Sequence, residues 1–94
     1  MDVLDEVFSV VRDRVRNPRE DSYVSSLLSD PKGLDRVLEK IGEESFEVVI
    51  AAKNGRDGEI VAESADLIFH LMVMLAVKGI SLDDVRAEFA RRRK

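Results

Sequence analysis

The segment Glu59 to Lys78 is the hardest part of this sequence to house in a small protein. It has helical spacing and almost no polar side. One stripe reads Ile60, Glu63, Leu67, His70, Met74, Val77, a second reads Val61, Ala65, Ile68, Met72, Leu75, and Phe69 and Val73 fill a third side. A helix apolar nearly all round has to be surrounded by other elements. A chain of 94 residues has few helices for that task and buries a smaller share of its surface than a larger domain does. Hydrophobic residues make up 45% of the chain and charged residues 36%, and the charged share stands above the usual ~25%. A charged exterior with an apolar surplus predicts one all-α domain over residues 1–94, an antiparallel helical bundle completed as a homodimer or higher homo-oligomer.

The rest of the chain reads as four more helices. The first runs from about Asp2 to Arg16, with Leu4, Val7, Phe8, Val11 and Val15 as its apolar stripe, and ends at Asn17-Pro18 because proline has no amide and disfavours a helical residue before it. A short one follows from Ser22 to Leu28, capped by Asp21 or Ser22. The third covers Leu34 to Lys53, interrupted only by Gly42, which permits close approach of a neighbouring backbone or ligand. Asn54 to Gly58 reads as a turn with two glycines. The long apolar helix then stops at Gly79, and Ser81 caps a fifth whose first turn holds Asp83 and Asp84 and whose far end is the basic run Arg91 to Lys94. No segment alternates as a strand does.

Composition narrows the chemistry. With no cysteine, disulfides, thiolate metal sites and thiol nucleophiles are all excluded. The net charge of −4 lacks the basic excess of a nucleic-acid binder. The acidic start Met1-Asp2-Val3-Leu4-Asp5-Glu6 does not look like a signal peptide. The longest apolar run, Leu67 to Val77, is broken by His70 and too short to cross a bilayer. A cytoplasmic protein without membrane attachment is expected.

Carboxylates sit where apolar residues belong. Leu34, Val37, Ile41, Glu44, Val48 and Ala51 form a core-facing seam on the third helix, with Glu44 inside it, and Glu63 interrupts the seam of the fourth. An unpaired buried charge costs several kcal/mol. Glu44 and Glu47 are three apart and share a face, as do Glu63 and Asp66. Folding the two helices back about Arg56 brings them level, since Glu47 is nine residues before it and Asp66 ten after, with Glu44 and Glu63 within a turn of the opposite pair. Two unit charges 4 Å apart repel by about 4 kcal/mol at an effective dielectric near 20. Such a group needs protonation or a cation. All-oxygen donors with at most one histidine select a hard ion, magnesium or manganese ahead of calcium, and magnesium also binds substrate phosphates.

Each feature has a plainer explanation. Acids three or four apart usually form solvated faces or pair with lysine, and Lys40 stands four before Glu44. His70, one turn beyond Asp66, is in most such settings a hydrogen-bonded structural group. Ser22-Tyr23 can simply start a helix, and Lys53 can complement a helix C-terminus. The two acidic motifs are individually common. Their alignment on facing seams is what raises them above that background.

The pattern Glu44-Ser45-Phe46-Glu47 followed by Glu63-Ser64-Ala65-Asp66 resembles the all-α nucleotide pyrophosphohydrolases, which include MazG-like and dimeric dUTPase enzymes. Asp21-Ser22-Tyr23-Val24, Lys40-Ile41-Gly42-Glu43-Glu44 and Gly79 to Val85 are similar to the phosphoribosyl-ATP pyrophosphatase branch, in order and with family-like spacing. That resemblance implies hydrolysis of the α–β phosphoanhydride of 1-(5-phosphoribosyl)-ATP, the second step of histidine biosynthesis. The products would be phosphoribosyl-AMP, which the cyclohydrolase next in the pathway takes up, and pyrophosphate. It implies metal ions on Glu44, Glu47, Glu63 and Asp66. Glu43 and Glu44 are its candidates for acid–base work, Lys40 and Lys53 for phosphate contacts, and Ser22 and Tyr23 for the nucleotide or phosphoribosyl end. The dimer it implies agrees with the apolar surplus. Two alternatives remain: a related pyrophosphatase for dUTP, dCTP or damaged nucleotides, and a non-catalytic helical dimerisation module. A di-iron carboxylate bundle is excluded, since its Glu-x-x-His pairs are absent.

Overall fold

The computed structural model describes residues 2–93, which form five α-helices and, among the described residues, no strand. Met1 and Lys94, at the ends of the acidic start and the basic run, lie outside the described residues. Helix α1 (Val3–Arg16) starts in a capping box: the Asp2 carboxylate accepts from the Asp5 amide and the Asp5 carboxylate from the Asp2 amide. Helix α2 (Tyr23–Leu28) is capped by Ser22, not Asp21, the serine hydroxyl accepting from the Ser25 amide at 3.2 Å. Helices α3 (Leu34–Asn54) and α4 (Asp57–Val77) form a long antiparallel hairpin, and α5 (Leu82–Arg92) opens with a Ser81–Asp84 capping box.

The turn inside the hairpin is shorter than its two glycines suggested. Gly55 takes the left-handed conformation (φ 70°) and its amide donates to the carbonyls of Ala51 and Ala52, closing α3 in one residue. Arg56 caps α4, and Asp57 and Glu59 occupy its first turn, where the helix dipole favours acids. Gly58 is therefore helical, and only Gly55 has positive φ there. The other end of α4 closes as expected at Gly79 (φ 72°), where the Ile80 amide donates to the Leu75 carbonyl at 2.9 Å.

The core lies toward one end of this hairpin. Val11 of α1, Val24 and Leu27 of α2, Val37 of α3 and Val73 of α4 are buried together, with Val7, Val15, Ile41, Phe69 and Val77 packed around them. Helix α1 runs beside α4 in the same direction, with Leu4 and Val7 near Ile60 to Phe69 and Val15 near Ala76. Nearer the turn Ala51 is buried, but large apolar side chains stand open. Phe46, Val49, Ile50, Val61 and Ile68 are all exposed, Phe46 by 64% and Val61 by 69%. The space beside Gly42 is open, so nothing within the chain approaches it closely.

By length and composition α4, at 21 residues, is apolar enough to cross a membrane. It also carries Glu63 and Asp66, and its His70, Met72 and Val73 are buried within the bundle, Val73 in the core cluster.

Candidate metal centre

The middle of the hairpin, just beyond the packed core, gathers the acids. Glu44 of α3 and Glu63 and Asp66 of α4 each offer a carboxylate oxygen, and these three atoms lie within 4.8 Å of one another. The antiparallel hairpin makes this possible, because a three-residue step along α4 places Glu63 and Asp66 on one face, opposite Glu44. Glu44 is well enclosed, its side chain only 12% exposed. Glu63 is half-buried and Asp66 exposed.

Glu63 carries the electrostatic record of this crowding. Burial first, and then the charges of Glu47, Glu44 and Asp66, push its carboxyl above the usual glutamate range. Glu47, expected as a fourth member, is exposed and stands outside the 4.8 Å group, yet it is the charge that acts most strongly on Glu63. Glu47 thus belongs to the field of the site and sits at its rim.

The donor set fits a hard divalent cation. It contains only carboxylate oxygens, and it opens toward solvent at Asp66, where water or a phosphate can complete an octahedron. Glu44 also has a cationic partner, since the Lys40 ammonium lies 3.4 Å from it and 3.5 Å from Glu43. The Lys40 environment raises its proton affinity: the leading effect, burial, works against this, and the Tyr23 phenol, Glu44 and Glu43 outweigh it.

The remaining expected site residues spread around this centre. Glu43 is exposed and turns to Arg36 (3.7 Å) and Lys40, outside the acid cluster. The Ser22 hydroxyl is engaged in capping α2. Lys53 lies exposed in the last turn of α3, nine residues beyond Glu44 and so about 13 Å along the helix axis. Tyr23 lies near the site, half-exposed, with its hydroxyl 2.9 Å from His70 Nε2.

His70 is the residue whose place the sequence left most open. It is buried, and its Nδ1 lies 2.7 Å from the carbonyl oxygen of Asp66. A carbonyl only accepts, so Nδ1 carries a hydrogen and donates it. A neutral ring then has its lone pair on Nε2, and the Tyr23 hydroxyl donates to it. The structural role expected of a buried histidine is met. Its partner, 47 positions away, is beyond the reach of any spacing rule.

The largest polar groove is elsewhere, between α1 and α5, with a volume of about 480 Å³ and Arg12, Arg16, Asp13 and Arg86 among its walls. It has no carboxylate cluster of the kind found on the hairpin.

The chain is similar to known proteins. A family model described as phosphoribosyl-ATP pyrophosphohydrolase matches residues 4–93. Phosphoribosyl-ATP pyrophosphatase of Methanocella arvoryzae is 60% identical over 93 residues, covering 99% of this chain and 98% of that protein. Proteins of the same name from Methanococcoides burtonii and Haloarcula marismortui are 52% and 50% identical, each matched over 94% of its length.

Proposed function

The chain belongs to the phosphoribosyl-ATP pyrophosphohydrolase family, and we propose that the carboxylate group on its α3–α4 hairpin is where its reaction takes place. It is a phosphoribosyl-ATP diphosphatase of histidine biosynthesis. The substrate carries a triphosphate, and water must attack one phosphorus of its α–β anhydride while pyrophosphate leaves. The observation that carries the assignment is the approach of three carboxylate oxygens to within 4.8 Å on facing helices.

Glu44, Glu63 and Asp66 are the ligands we assign to magnesium, with manganese as the substitute, and Glu47 supports them from the rim. When bound, such an ion neutralises phosphate charge and polarises water. Glu44, a largely enclosed carboxylate, is our candidate to take the proton of the attacking water. Glu43 keeps its place beside Arg36 and Lys40, and so sets the position of the ammonium that faces Glu44. Lys40 provides the positive charge nearest the cluster for a phosphate oxygen. Lys53 would reach the substrate only at its far end, and Ser22 contributes through the start of α2.

The working form is a homodimer or higher homo-oligomer in the cytoplasm. The accessible surface of 6678 Å² exceeds the roughly 5,500 Å² of a compact protein of this mass. The excess is of the size that one subunit buries in a standard interface, about 800 Å² or more. Phe46, Val49, Ile50, Val61 and Ile68 of the hairpin are among the exposed apolar side chains such an interface can cover. A second copy of the hairpin is the occupant that matches that surface in kind.

Magnesium titration during thermal unfolding tests the site. At a hundredfold excess over its dissociation constant the ion is expected to stabilise the wild-type fold by about 2.7 kcal/mol. Glu63→Gln and Asp66→Asn should lose that response and lose pyrophosphate release with it. An unchanged magnesium response in both variants would place the metal elsewhere, and no response in the wild type would favour a non-catalytic dimerisation module.

A further inference from the structure

The only histidine and the only tyrosine of the chain are bonded to each other beside the carboxylate cluster. The histidine is in turn bonded to the backbone of one of the assigned ligands, Asp66. We propose that His70 is a positioning residue for the hydrolysis: fixed by the Asp66 carbonyl, its ring accepts the hydrogen bond of the Tyr23 hydroxyl and holds the head of α2 against α4 at the edge of the acid site. The proposal rests on the reading of that site given above.

Three observations support it. His70 is 5% exposed and both of its ring nitrogens have partners, so its orientation and tautomer are set by its surroundings. Its ring packs edge-on against Tyr23 (centroids 5.7 Å apart) and against Phe69 (5.4 Å), which leaves it little room to turn. Tyr23 is half-exposed and is the first residue of α2, so the Tyr23–His70 bond ties the head of that helix to α4 one turn from Asp66.

The Tyr23–His70 bond also determines what Tyr23 can offer. Its one hydroxyl hydrogen is spent on His70, so an approaching group meets lone pairs only. Tyr23 can accept from a ribose hydroxyl, an amino group or Lys40, and it is a poor contact for a phosphate oxygen. This sharpens its assignment to the nucleoside or phosphoribosyl end of the substrate.

The test uses Tyr23→Phe, His70→Phe and His70→Gln in the full chain, with ¹⁵N spectra of the imidazole and with kcat and KM for phosphoribosyl-ATP in magnesium. The wild-type spectrum should show a protonated Nδ1 and a pyridine-type Nε2. Tyr23→Phe should alter the Nε2 shift and lower kcat/KM by about tenfold, with little change in melting temperature, since the ring stays in place. His70→Phe should cost as much, and the double variant no more than the worse single. His70→Gln keeps an acceptor near the Nε2 position and should recover most of the loss. A tautomer protonated at Nε2, or variants as active as a wild type that turns over normally, would overturn the positioning role alone. A folded wild type that releases no pyrophosphate with magnesium would overturn the functional reading and this role together.

Discussion

Glu63 shows how a single residue records the site around it. Burial and the charges of Glu47, Glu44 and Asp66 make its carboxyl harder to ionise in the folded chain. Between the ordinary glutamate value of 4.5 and the raised one, the native state holds the proton that the unfolded state has lost. Stability linked to this group is present below that window and falls as pH rises through it. Asp5, Glu39 and Glu88 act in the opposite sense, held low by Arg86, Lys32 and Arg91 respectively. Unfolding in the presence of a chelator across this pH range should therefore show wild type losing stability, relative to Glu63→Gln, as the pH is raised. Parallel profiles for the two proteins would mean that the carboxylates do not interact. The acid motifs themselves were visible in the sequence, since Glu44 and Glu63 interrupt apolar seams. The closeness of each acid was not: Glu47 has the right spacing and its charge acts on Glu63, yet it stands outside the group of three within 4.8 Å, and helical periodicity does not fix how near each carboxylate of one face comes to its neighbours.

At the scale of elements, the helices follow their caps. Asp2, Ser22 and Ser81 begin α1, α2 and α5, and Gly55 and Gly79 end α3 and α4. Those signals are local and were legible. Gly58 misled because a glycine marks a turn only when the backbone needs positive φ, and here Gly55 alone meets that need. The join between α2 and α4 through Tyr23 and His70 was not legible, because it depends on how a six-residue helix is laid across the bundle. Ser22 separates the two scales. As a cap its replacement by alanine should cost about 1 kcal/mol of stability and leave KM for phosphoribosyl-ATP close to the wild-type value. A large rise in KM with no loss of stability would show a direct substrate contact instead. Helix α5 is the most loosely held element, with no buried residue and with Arg86 bonded to Asp5 of α1 at 2.9 Å. Two arginines of the basic run, Arg91 and Arg92, are paired with Glu88 on the same helix.

The whole molecule is less compact than a single domain of its length. Its radius of gyration is 14.4 Å, against about 12 Å for a compact domain of this length. Part of the apolar surplus that the composition announced lies on the turn-side arm of the hairpin, where Phe46 and Val61 are exposed. A charge placed there, as in Val61→Asp or Phe46→Glu, should convert the oligomer to a monomer in sedimentation at micromolar concentration and lower the melting temperature. A wild type that already sediments as a monomer would show that this arm is covered by something other than a second copy. Because the carboxylate cluster lies where the packed core meets that arm, loss of association should also weaken magnesium binding.

The most direct measurement is product analysis with phosphoribosyl-ATP. The chain should release pyrophosphate and phosphoribosyl-AMP in equal amounts, only with magnesium or manganese present, in preference to dUTP, dCTP and ATP, and Glu44→Gln should abolish the release. Faster pyrophosphate release from a plain nucleoside triphosphate, or turnover that survives a chelator and the loss of Glu44, would contradict the account.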